Sequence, residues 1–230
     1  MRVGQKYLGI IPARSGSKRL PHKNILEMAG KPLISWTIEA ALSAKKLSSV
    51  IVSTDDEGIA AVAREYGAEV PFLRPSHLGG DEVTTYDVVE DLLQKVDEPK
   101  NIVLLQPTSP LRTADDIDQA ISLYEKKSAT AVIGVCEVDH PVEWSNFLPK
   151  DNNMDNFIHS DIKNKRHQDL PARYRINGAV YIIDTESFLS DKSFIPEKGT
   201  YAYRMNRENS VDIDEKLDFL LAELILQTRM

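Results

Sequence analysis

The chain has 230 residues, 42% of them hydrophobic and 27% charged, with a formal net charge of -7 and a single cysteine. Such a chain builds one substantial core with room for a small appendage. These values exclude an intrachain disulfide, a membrane span (no window approaches ~20 apolar residues) and the broad basic face that general nucleic-acid binding demands.

Residues 7–11 read as a strand buried on both faces, ending at Pro12 after a run too short for a secretory h-region. With Cys136 sitting in an apolar stretch, a reducing cytoplasm is the expected compartment. Pro32 then suits the first turn of a helix carrying Ile34, Ile38, Ala41 and Leu42. A strand at 49–53 precedes a helix with Ile59, Ala60, Ala63 and Tyr66, closed by Gly67. Thr84 or Thr85 caps a third helix bearing Val88, Val89, Leu92 and Leu93. After a strand at 101–105, Thr113 caps a fourth with Ile117, Ala120, Ile121 and Tyr124 on one face. The alternation predicts an α/β domain with a mainly parallel sheet.

From about 139 to 174 the pattern fails: the stretch is polar, holds Pro141, Pro149 and Pro171, and is too long for a plain connection. Regular structure is expected again at 178–183. A last helix after Asp214 is expected to bury Leu217, Leu220, Leu221 and Leu224.

The loops that follow the strands carry the chemistry, because ligands of parallel α/β sheets sit beyond the carboxyl ends of the strands. After the first strand come Arg14, Lys18, Arg19 and Lys23, with no acidic residue before Glu27. Gly16 permits a tight turn, and small Ser15 and Ser17 let amide N–H groups approach an anion. Arg and Lys supply the phosphate contacts. The spacing is neither a Walker loop nor a Gly-x-Gly-x-x-Gly fingerprint. In Ser53-Thr54-Asp55-Asp56, one Asp is explained as a helix cap. Gln106-Pro107-Thr108-Ser109-Pro110-Leu111-Arg112 suits a rigid polar pocket wall. Asp212 and Asp214 point to one side of an extended chain and suit Mg²⁺; equally, Asp214 could cap the final helix and leave Asp212 exposed. Together these features indicate phosphoryl or nucleotidyl transfer.

The segment 11–24, Ile-Pro-Ala-Arg-Ser-Gly-Ser-Lys-Arg-Leu-Pro-His-Lys-Asn, resembles the signature of the bacterial CMP-acylneuraminate synthetases, or acylneuraminate cytidylyltransferases. Ile51-Val52-Ser53-Thr54-Asp55, Leu73-Arg74-Pro75, the 105–112 segment, Asn177-Gly178-Ala179-Val180-Tyr181 and Val211-Asp212-Ile213-Asp214 extend the resemblance along nearly the whole chain. It implies a three-layer Rossmann-like nucleotidyltransferase domain from 1–138 and 175–230, with a small dimerisation insertion at 139–174. It also implies the reaction: CTP and a nine-carbon 2-keto sugar acid give the CMP-sugar and pyrophosphate, with Mg²⁺, in a homodimer.

Residue by residue, the resemblance places Arg14, Ser17, Lys18 and Lys23 on the triphosphate, with Arg14 and Lys23 nearest the transferred phosphorus. Asn24, Arg74 and Thr85 fall around the cytidine. Gln106, Thr108 and Ser109 meet the sugar, with Arg175, Asn177 and Tyr181 also on the substrate side. Asp212 and Asp214 hold the metal, and Asp212 also helps to deprotonate the sugar hydroxyl. Where the family often has paired arginines, this chain has Arg166-His167, so either residue is a candidate for the sugar carboxylate. Ser193-Phe194 replaces an aromatic pair of some members and leaves the acyl preference open. Alternatives are the synthetase for an eight-carbon 3-deoxy-octulosonate, whose loop usually reads Ser-Thr-Arg-Leu-Pro-Gly-Lys-Pro, and a non-catalytic nucleotide-binding module.

Overall fold

The computed structural model describes residues 6–229, so positions 1–5 and 230 of the expected domain limits lie outside the described residues. In chain order the elements are β1 (Tyr7–Ala13), β2 (Glu27–Met28), β3 (Lys31–Pro32), α1 (Leu33–Ser43), β4 (Ser49–Thr54), α2 (Glu57–Glu65) and α3 (Thr85–Leu93). Then follow β5 (Asn101–Leu104), α4 (Ala114–Lys127), β6 (Ala131–Glu137), β7 (Tyr174–Asp184), α5 (Thr185–Asp191), β8 (Thr200–Arg204) and α6 (Lys216–Arg229).

Six strands form one sheet in the order β4-β1-β5-β7-β6-β8. β1 pairs in parallel with β4 and β5, and β6 with β8, while β7 runs antiparallel to both neighbours. The expected mainly parallel α/β sheet is present. Side chains alternate across β1: Tyr7, Ile11 and Ala13 enter one core with α1, α2 and α4, while Leu8 and Ile10 enter another with α3 and α5. Helices on both faces make three layers and explain why the strands read as continuous apolar runs. Ile38 in α1 is fully buried, so truncation to Ala would cost about 2–5 kcal/mol. Thr113 and Asp116 close a reciprocal capping box on α4, worth about 1 kcal/mol, and Thr84 with Asp87 does the same for α3.

Three expectations need correction. Leu42 is exposed, because the inward face of α1 is formed by Leu33, Ile34, Ser35, Thr37, Ile38 and Ala41. Regular structure resumes at Tyr174, four residues early, since Tyr174 pairs with Glu137 across the β6–β7 hairpin. In α6, Leu217, Leu220, Leu221 and Leu224 are exposed; Phe219, Ala222 and Leu226 face the core with Met28, Leu33 and Ile213.

Candidate active site

The chain passes from β1 to β4 on one side and later to β5 on the other, which makes the carboxyl end of β1 the topological switch point of the sheet. A cleft of about 600 Å³ opens there. It is lined by Arg14, Ser17, Lys18, Lys23, Asn24, Arg74, Thr85, Gln106, Thr108, Asp212 and Asp214. Eleven residues expected at a triphosphate, cytidine, sugar or metal site are thus brought to one cavity from five separated segments.

Local contacts fix each segment. Asn24 is buried and donates from Nδ2 to Arg14 O at 2.9 Å, tying the end of the basic loop to its start. Lys23 Nζ donates to Ile213 O, and Ile213 N donates to Thr108 O at 2.9 Å, so the 212–214 turn is held between the basic loop and the loop after β5. Burial lowers the pKa of Lys23, while Asp214 and Asp212 pull it back up. Half-buried Asp212 is pushed above the usual carboxylate range, chiefly by burial, with Asp214 adding to the rise; a bond from Thr108, then Lys23 and Arg175, oppose it. Asp214 does not cap α6: Asp218 Oδ2 accepts from the amides of Asp214 at 3.0 Å and Glu215 at 2.8 Å. The Asp214 carboxylate is left facing the cleft, 3.5 Å from Arg19.

Other expected residues are placed elsewhere. Ser109 lies wholly beneath the cleft, and Asn177 is buried with Nδ2 on Ser210 Oγ at 2.9 Å. Tyr181 packs against Phe194, ring centroids 5.9 Å apart. Arg175 lines a second cavity of about 680 Å³ that shares Asp212 and Asp214 with the first. Arg166 and His167 lie outside the cleft, in the 139–174 segment; Arg166 forks onto Asp169 at 3.0 and 3.1 Å, and the His167 ring stands 6.3 Å from Trp144. Arg112 is not part of the pocket wall. It is buried behind it, donating to Ala179 O at 2.7 Å and Gln106 O at 3.3 Å. Burial lowers its pKa to about 10.

Three site residues escaped the sequence reading. Asp56 takes the α2 cap, accepting from Ile59 N at 2.9 Å, which frees Asp55 to accept from Ser15 N at 3.2 Å, Ser15 Oγ at 3.1 Å and Arg74 at 3.3 Å. The doubled Asp was the available signal, since a cap uses one. Asp81 pairs with Arg14 and Lys18 and had no signal in spacing. Gly178, at φ +75°, packs beneath Gln106.

A basic loop facing a carboxylate pair at the switch point of the sheet places this chain among the doubly wound α/β proteins. Residues 8–230 match the family model described as cytidylyltransferase, and the chain belongs to that family. It is 39% identical over 218 residues to the N-acylneuraminate cytidylyltransferase of Streptococcus agalactiae serotype III, covering 94% of this chain and 52% of that one. The chain therefore spans about half the length of that relative. It is 35% identical to the CMP-N,N'-diacetyllegionaminic acid synthase of Legionella pneumophila, covering 96% of this chain and 97% of the relative. Among solved structures, CMP:2-keto-3-deoxy-manno-octonic acid synthetase complexed with CTP superposes with a TM-score of 0.73 at 16% identity, covering 98% of this chain and all of that one, a likeness of fold. No helix among the described residues is long and apolar enough to cross a membrane.

Proposed function

We propose that this chain activates a nonulosonic acid, a nine-carbon 2-keto sugar acid, with CTP, giving the CMP-sugar and pyrophosphate. The observation that carries the reading is the convergence of Arg14, Lys18 and Lys23 with Asp212 and Asp214 in one cleft, opposite Gln106 and Thr108. Both relatives named above act, by name, on sugar acids of this class. Arg14, Lys23, Asp212 and Asp214 together in one cleft speak against a non-catalytic nucleotide-sensing module.

In this reading the anomeric oxygen bonds to the α-phosphorus as the bond to the bridging oxygen breaks, and pyrophosphate leaves with that oxygen. Arg14, Lys18 and Lys23 neutralise the charge gathering on the leaving group, and the rigid loop walls align the two substrates. The hydroxyl proton passes to Asp212, the carboxylate that faces the cleft beside Thr108. Arg74, Asn24 and Thr85 border the cytidine; Gln106 and Thr108 border the sugar. Two oxygen-donor side chains, two residues apart and both facing the cleft, match the one or two protein carboxylates that Mg²⁺ takes beside substrate phosphates. Asp212 and Asp214 would hold that ion, which when bound supplies positive charge to the phosphate oxygens.

The 139–174 insertion is read as a dimerisation element in a cytoplasmic homodimer. Support comes from its apolar surface: Phe147 is 95% exposed, and Val142, Leu148 and Met154 are also uncovered. The test is pyrophosphate release from CTP over a panel of nonulosonic acids, with and without EDTA. Sugar-dependent release abolished by chelation is expected; full activity in excess EDTA, or no release with any member of the panel, would sink the reading.

A further inference from the structure

The basic loop is bound to an anion of its own chain. Asp81 Oδ1 lies 2.9 Å from Arg14 Nη1, and Oδ2 pairs with Lys18 Nζ. Arg14 Nη1 also donates to Gly80 O at 3.2 Å. This is a built contact. The turn carrying Asp81 rests on the loop through Gly79, where any Cβ would collide with the Asp55 carboxylate. Asp55 in turn holds the amide and hydroxyl of Ser15 inside the basic loop. The hydrogen bond from Lys18, more than any other factor, holds the Asp81 carboxyl below its ordinary range, so it stays ionised at neutral pH.

We propose that Asp81 is a built-in competitor of the pyrophosphate group. Its carboxylate and the outer phosphates of the nucleotide compete for Arg14 and Lys18; Asp81 yields when the triphosphate enters and returns as pyrophosphate leaves. The inference rests on the function proposed above. Exposed ion pairs are weak, so a polyanion that also engages Lys23 wins the exchange. A carboxylate waiting beside the same cations nevertheless weakens the hold on the departing polyanion. That matters wherever release of product limits turnover. Asp81 thus acts through Arg14 and Lys18, trading nucleotide affinity for product exit.

The test measures binding of inorganic pyrophosphate to the full chain by calorimetry, with Mg²⁺ present, for wild type, Asp81→Asn and Asp81→Glu. Asp81→Asn should bind pyrophosphate about 3- to 10-fold more tightly, with an unchanged melting temperature. Asp81→Glu should return close to wild type, because the competing charge is restored. Product inhibition of CTP turnover should shift to lower pyrophosphate in the Asn variant by the same factor. Equal or weaker binding by Asp81→Asn, or no binding by either protein, would overturn the proposal. The two readings fail separately: a wild type that binds pyrophosphate yet releases none from CTP defeats the proposed activity, while the Asn-to-wild-type ratio still decides the role of Asp81.

Discussion

Gly178 leaves room for Gln106: a Cβ on residue 178 would lie 2.7 Å from Gln106 Oε1 and 3.6 Å from Asp212 Oδ2. The antiparallel strand β7 therefore passes directly under Gln106, and any side chain at this position must push the end of Gln106 aside. The backbone at φ +75° adds a second reason for glycine. Gly178→Ala should cost about 1–2 kcal/mol of stability through backbone strain. It should also push Gln106 aside, raising the Michaelis constant for the sugar more than that for CTP. Thermal melts and steady-state kinetics check both; an unchanged sugar constant would show that Gln106 does not reach the sugar.

Lys23 joins chemistry to architecture. Charge neutralisation at the reacting phosphate predicts that Lys23→Ala lowers turnover by roughly 10²-fold or more. Its bond to Ile213 O adds a structural cost of about 1 kcal/mol, so the variant should also melt slightly earlier. Turnover within a few-fold of wild type would remove Lys23 from the transfer step.

Glu125 predicts an acid limb of stability far from the cleft. It accepts from Lys46, Lys6 and the Tyr7 hydroxyl, tying α4 to the start of β1, and bonds from Lys46 and then Lys6 depress its pKa to about 2. The native state therefore sheds this proton more readily than the unfolded chain. Its contribution is present above the ordinary glutamate range and is lost as pH falls through about 2. Glu125→Gln should be less stable than wild type at pH 7, and the gap should close on acidification between those limits. A gap that stays constant with pH would assign the loss to packing.

Arg166 and His167 lie outside the cleft of their own chain, so a shared site makes a specific demand. Arg166→Ala should raise the sugar Michaelis constant far more than that of CTP, because a planar fork suits a carboxylate and stays charged at working pH. His167→Ala should do little. Mixing Arg14→Ala and Arg166→Ala proteins, each deficient alone at sugar well below the raised Michaelis constant, should restore activity once subunits exchange; verified exchange with no recovery would show that each chain completes its own site.

The basic side of the cleft was legible because each strand end announces itself by an apolar run followed by a loop of unusual composition. Arg14, Lys23 and Asp212 needed only the rule that such loops share one sheet edge. What sequence could not fix were choices between equivalent faces. Leucines at 217, 220, 221 and 224 and apolar residues at 219, 222 and 226 give α6 two competing stripes, and periodicity cannot say which one meets Met28 and Leu33. Arg112 reads as a pocket residue from its neighbours, yet two backbone carbonyls lie within its reach in the interior. Asp81 depends on a turn folding back across more than sixty positions of chain, a closeness no local pattern encodes.

The pairing of Glu137 with Tyr174, backed by Val138 N on Arg173 O at 3.0 Å, has a consequence for how such a molecule diversifies. Both ends of the 139–173 stretch meet at a single rung of the ladder, at the sheet edge where the cleft opens. Everything between them is, in engineering terms, a cassette plugged into a hairpin: it can lengthen, shorten or be exchanged without disturbing the register of any strand beneath. The sheet with its cleft and the insertion are thereby free to change at different rates. Swapping this one stretch between relatives should leave the frame of strands beneath it unaltered.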